Sequence, residues 1–110
     1  MNTYYNVEIQ TAGKKKITTG ILTLFEDYLG IDDRDLDERE TNRAVFFFVS
    51  DMKPSEVKNR IRTILEQTTS IYYVDVIYRW ENEMHPDRVV LWADGHEQEY
   101  TGHVVFEEDK

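Results

Sequence analysis

Ala44-Val45-Phe46-Phe47-Phe48-Val49 is an unbroken run of apolar residues, most of them β-branched or aromatic. The run is too short for an ordinary helix and its strand propensity is high. With no polar alternation, it reads as a strand buried on both faces, and therefore as a central strand of a sheet. On its C-terminal side, Ser50-Asp51-Met52-Lys53 turns into a helix. Pro54 suits the first helical position, and Val57, Ile61, Ile64 and Leu65 mark one helix face. Thr68-Thr69-Ser70 ends that helix.

Working outward, Tyr4 to Gln10 alternates, with Tyr5, Val7 and Ile9 on one side of a strand. Ile17, Ile21, Leu24, Phe25, Tyr28 and Leu29 recur at helical spacing. Thr18 or Thr19 is placed to cap this helix, and Gly30 sits where a left-handed residue would end it. Gly20 and the threonines weaken the helical pattern, so a strand over 17–24 is the alternative. Ile71 to Trp80 is a long strand with Tyr72, Val74, Val76, Tyr78 and Trp80 on one face and a mixed second face. Arg88 to Ala93 is another strand. Asp94-Gly95 marks a two-residue hairpin whose return strand starts at His96, with Gly102 a candidate bulge.

The resulting order is β-α-β-α-β-β-β. It predicts an α+β domain: a mixed or antiparallel sheet of about five strands with two helices packed on one face. Residues 1–110 form a single acidic domain, with an exposed acidic loop at 31–43 and a frayed tail at 107–110.

The chain carries 22 Asp and Glu against 13 Lys and Arg, a formal net charge of -9 in 110 residues. Eight acids fall between Glu26 and Glu40, and a second group runs from Glu81 to Asp109. Such charge repels nucleic acid and anionic membrane and attracts basic surfaces. The aromatic content (seven Tyr, five Phe, two Trp) is too high for a disordered acidic tail. Disulfides and thiolate metal sites are excluded because there is no cysteine. No apolar run approaches the roughly 20 residues that span a bilayer, and the N-terminus lacks a signal-peptide pattern. The expected location is the cytoplasm, or a host cytoplasm for a viral protein.

No catalytic motif is present. Asp33, Asp35 and Asp37 alternate as in a calcium loop, but Glu38 and Ala44 stand where Gly and Glu are required. His85, His96 and His103 form no metal-binding or acid–base spacing, so an enzyme built on them is the weakest reading. An RNA platform on Phe46, Phe47 and Phe48 would need exposed rings in a basic field, and core packing fits the run better. Lys58, Arg60 and Arg62, together with Lys14 to Lys16, are the one basic concentration. No cofactor and no metal are expected.

What remains is an acidic binding protein, an inhibitor or a nucleic-acid-mimicking decoy of phage or mobile-element type. It would occupy a basic protein surface on a nucleic-acid-binding enzyme or nuclease. Carboxylates accept strong hydrogen bonds from Arg, and Tyr and Trp are favoured anchors at interfaces. The expected partner-binding residues are Asp32, Asp33, Asp35, Asp37, Glu38, Glu40, Glu97, Glu99 and Tyr100. The alternative is a structural or regulatory module without enzymatic activity, in which the apolar strands 44–49 and 89–93 join two copies as a homodimer.

Overall fold

A computed structural model describes residues 2–84 and 86–93 and the backbone of 96–103. The strand Thr3–Thr11 (β1) is followed by helix Thr19–Leu29 (α1), a single 3-10 turn at Asp33–Asp35, and strands Leu36–Arg39 (β2) and Arg43–Ser50 (β3). Helix Pro54–Leu65 (α2) leads into Ile71–Trp80 (β4), Asp87–Ala93 (β5) and His96–His103 (β6). The six strands lie in one sheet in the order β2-β3-β1-β4-β5-β6, and all neighbours are antiparallel. The first four strands with their helices make the split βαβ arrangement, to which β5 and β6 add a meander beyond β4.

The α+β architecture is the one expected, with one strand more. The segment expected as a loop at 31–43 contains the 3-10 turn and β2. Propensity does not make Leu36-Asp37-Glu38-Arg39 a strand. Pairing along β3 does, in the register Leu36 to Phe46 and Arg39 to Ala44. Asp37, Glu38 and Arg39 are nonetheless exposed, and such charges discourage further pairing at a sheet edge.

Residues 17–24 are not a strand. Thr18 caps α1 by accepting a hydrogen bond from the Ile21 amide, and Gly30 closes it with φ of 67°, a left-handed conformation that glycine adopts without strain. Ile21, Leu22, Phe25 and Leu29 are buried, as are Val57, Ile61, Ile64 and Leu65 of α2. Both helices lie on the face formed by Tyr5, Val7 and Ile9 of β1, Ala44, Phe46 and Phe48 of β3, and Val74 and Val76 of β4. Phe25 stacks on Phe46 with ring centroids 6.3 Å apart, and the Tyr5 hydroxyl donates to the Met52 carbonyl under the start of α2. A register shift opposite Gln10 and Thr11 leaves Tyr72 exposed and buries Ile71 on the helix side.

The strand 44–49 is not buried on both faces. Its odd residues point away from the helices, and Phe47 and Val49 are 46% and 47% exposed. It is second from the sheet edge, not central. Arg88 pairs with Gly102 and Val89 with Thr101 in unbroken register, so Gly102 is no bulge; the shift falls further along, between Val90 and Trp92 of β5. The Asp94-Gly95 turn and the tail 107–110 lie outside the described residues. Among the described residues no helix is long and apolar enough to cross a membrane.

Candidate functional site: the open sheet face

The sheet face opposite the helices has a polar end and an apolar end. At the polar end the β1–β4 register sets Glu8 directly opposite Asp75. Two like charges so placed repel each other. An arginine on each side offsets this. Arg43 of β3 donates to Glu8 and to Glu38 of β2, each at 2.9 Å, tying three adjacent strands together. Arg88 of β5 donates to Asp75 Oδ2 through Nε at 3.1 Å and Nη2 at 2.9 Å. The Tyr73 hydroxyl donates to the same oxygen at 2.6 Å.

Asp75 is buried, and burial holds its pKa above the ordinary carboxylate range against the opposing pull of Tyr73 and Arg88. The Tyr73 phenol is pushed up to about 12, by burial first and then by the Asp75 carboxylate. The pKa of Arg43 is raised by its hydrogen bonds to Glu8 and Glu38. Asp75 thus accepts three hydrogen bonds on one oxygen, in a cluster that clamps neighbouring strands.

The apolar end is a shallow groove of ≈ 230 Å³ lined by Tyr4, Tyr5, Asn6, Phe47, Ile77, Tyr78, Arg79 and Pro86. The Arg79 guanidinium lies 4.3 Å over the Tyr4 ring, and its Nη1 donates to the Glu83 carbonyl. Val49 stands opposite Tyr4 and extends the apolar strip. On this face Arg43 is paired with Glu8 and Glu38, and Arg88 with Asp75, while Arg79 stands at the apolar end.

The acidic residues singled out from sequence do not come together. Asp32 caps the 3-10 turn, accepting from the Arg34 amide while its own amide donates to Asp35. It also pairs with the exposed Arg34 guanidinium at 2.8 Å, which lowers its pKa. Glu38 is taken up by Arg43. The Glu40 end lies beside Lys16 and Arg39, where charge is mixed. The Asn42 amide group ties the Lys14–Lys16 loop to this same end by donating to the Gly13 and Lys15 carbonyls. Asp33 and Asp37 are exposed and make no side-chain hydrogen bond among the described residues.

Glu97, Glu99 and Tyr100 belong to β6, at the opposite edge of the sheet. Five inter-strand steps, roughly 24 Å, separate β2 from β6. The side chains of β6 lie outside the described residues. The acids of 32–40 and of β6 therefore do not make one contiguous cluster.

The described residues contain no group of three His, Asp or Glu side chains placed to hold a metal ion. His85 is outside the described residues, while the backbones of His96 and His103 lie opposite Ala93 and Asp87. On α2, Arg60 pairs with Glu56 at 3.1 Å and donates to the Tyr28 carbonyl, so part of the basic helix face is locally engaged. Sequence reasoning missed the groove and the Glu8–Asp75 pair. Charged residues inside strands, at Glu8, Arg43 and Asp75, were the available signal that one sheet face is not core.

In comparisons with known protein families, curated proteins and solved structures, nothing matches this chain.

Proposed function

We propose that the protein is a small acidic binding protein that occupies a basic surface on a nucleic-acid-binding protein, acting as an inhibitor or a nucleic-acid-mimicking decoy of the kind carried by phage or mobile elements. The observation that supports this reading is the Asp32–Glu40 segment. It carries six acids and two arginines, a net charge of -4 in nine residues, on an exposed turn and an edge strand. Charge of this density steers basic partners toward it and accelerates encounter. The contact takes in the β2 side of the sheet, and Glu97, Glu99 and Tyr100 stand on the far edge. No enzymatic activity is proposed. The expected setting is the cytoplasm, or a host cytoplasm for a viral protein.

The test is affinity capture from a bacterial lysate at low salt, followed by elution with duplex DNA. Retained nucleic-acid-binding proteins that DNA displaces would support the reading. Failure to retain any basic protein would end it. Asp33→Lys with Asp37→Lys should slow association at least tenfold at low salt and much less at high salt.

The alternative, a self-associating regulatory module, draws on the exposure of Phe47 and Val49 on the open sheet face. It is the weaker reading, since each copy brings a net charge of -9 to the contact.

A further inference from the structure

Beyond the end of β2, β3 continues through Phe47 to Val49, and the turn Asp33–Asp35 packs alongside this end of it. On the other flank, the chain leaving β4 folds back at Glu81–Glu83. The Glu81 amide donates to the Asn2 carbonyl, and the Glu83 amide donates to that of Trp80. Glu81 and Glu83 are exposed. Acidic segments thus adjoin the apolar groove in two places, beside β3 and past the end of β4, where the Glu83 carbonyl meets the lining residue Arg79.

Resting on the reading above, we propose that this groove docks a Lys/Arg-rich protein segment that inserts one apolar or aromatic anchor side chain. Phe47, Ile77 and Tyr4 receive the anchor, and Asp33, Asp35, Glu81 and Glu83 meet the flanking cations. An apolar centre ringed by charge is the usual anatomy of a protein interface, and anchors at such centres carry most of the binding energy. At ≈ 230 Å³ the groove is smaller than the roughly 300–1,000 Å³ typical of small-molecule pockets, so a single side chain suits it better than a free ligand.

A nucleic acid suits it poorly. Arg79 is the one cation among the described lining residues, and it is already held between Tyr4 and the Glu83 carbonyl. A second copy would bring acidic flanks against acidic flanks. The Asn6 amide group makes no hydrogen bond among the described residues and is available at the groove to a partner's backbone.

Three fluorescein-labelled peptides test this by anisotropy on the full chain: one Lys/Arg-rich with a central Trp, one of equal charge with Gly in its place, and one uncharged with the Trp. The Trp-bearing basic peptide should bind at least tenfold more tightly than either of the others. Phe47→Ser should abolish that advantage by speeding dissociation, and the milder Val49→Thr should reduce it. Asp33→Asn with Glu81→Gln should slow association of both basic peptides. Equal binding of the two basic peptides, unchanged by Phe47→Ser, would overturn the groove proposal and leave the acidic-binder reading standing. Failure of both basic peptides to bind would remove both. A dimer that Phe47→Ser dissolves, or peptide binding seen only after removal of residues 104–110, would assign the groove to a second copy or to the chain's own tail, and would also overturn the proposal.

Discussion

Two neighbouring phenylalanines should respond very differently to truncation. Phe46 is fully buried and stacked on Phe25, so Phe46→Ala removes a ring from a packed core and leaves a cavity. Such changes cost about 3–5 kcal/mol. Phe47 is 46% exposed on the opposite sheet face. Full burial of a large apolar side chain contributes about 1.5–3 kcal/mol, so a half-buried ring with no cavity behind it should cost about 1 kcal/mol on removal. A urea m-value of about 2 kcal/mol/M translates these figures into a midpoint drop of about 2 M for Phe46→Ala and about 0.5 M for Phe47→Ala. Equilibrium urea unfolding followed by far-ultraviolet circular dichroism measures both. Should Phe46→Ala fail to fold, Phe46→Leu supplies a smaller loss that must still exceed that of Phe47→Ala. Equal losses at the two positions would refute the assignment of an open face, and with it the groove.

The other outcomes concern the polar end and the helix caps. Arg88→Met leaves the buried Asp75 carboxylate with Tyr73 alone and should cost about 2–3 kcal/mol, less than for a wholly buried pair because Arg88 is itself partly exposed; a urea midpoint within error of the parent would show the pair to be inert. Asp75 titrates above its unfolded value, so the folded state binds the extra proton, and its contribution to stability is lost as pH rises from about 3.9 through the raised folded value. The stability of Asp75→Asn relative to the parent should therefore increase over that range, and a relative decrease in urea midpoints would contradict the assigned direction. Gly30→Ala forces a side chain into the left-handed region and should cost about 1 kcal/mol, a drop of about 4 °C in melting temperature; no shift would remove Gly30 as the helix terminator.

What could be read from the sequence was what local chemistry decides. Thr18 and Gly30 bound α1, Pro54 opens α2, and the helical spacing of Ile21, Phe25 and Leu29, or of Val57, Ile61 and Ile64, marks buried faces. What could not be read was whatever strand pairing decides. Leu36 to Arg39 holds one apolar residue and becomes a strand only because β3 offers an edge. Phe47 is as apolar as its neighbours, so the run from Ala44 to Val49 hides the alternation that exposes it. Glu8 and Asp75 meet through register between strands far apart in sequence, which no local pattern reports. The acidic residues were plain in the sequence, but their division between the two sheet edges follows from strand order alone.

Amide chemical-shift mapping in a titration with the Trp-bearing basic peptide is the most direct measurement. Shifts should concentrate at Tyr4, Asn6, Phe47, Ile77 and Arg79, with smaller ones at Asp33–Asp35 and Glu81–Glu83. Shifts confined to α1 and α2, or spread evenly over every acidic residue, would contradict docking on the open sheet face.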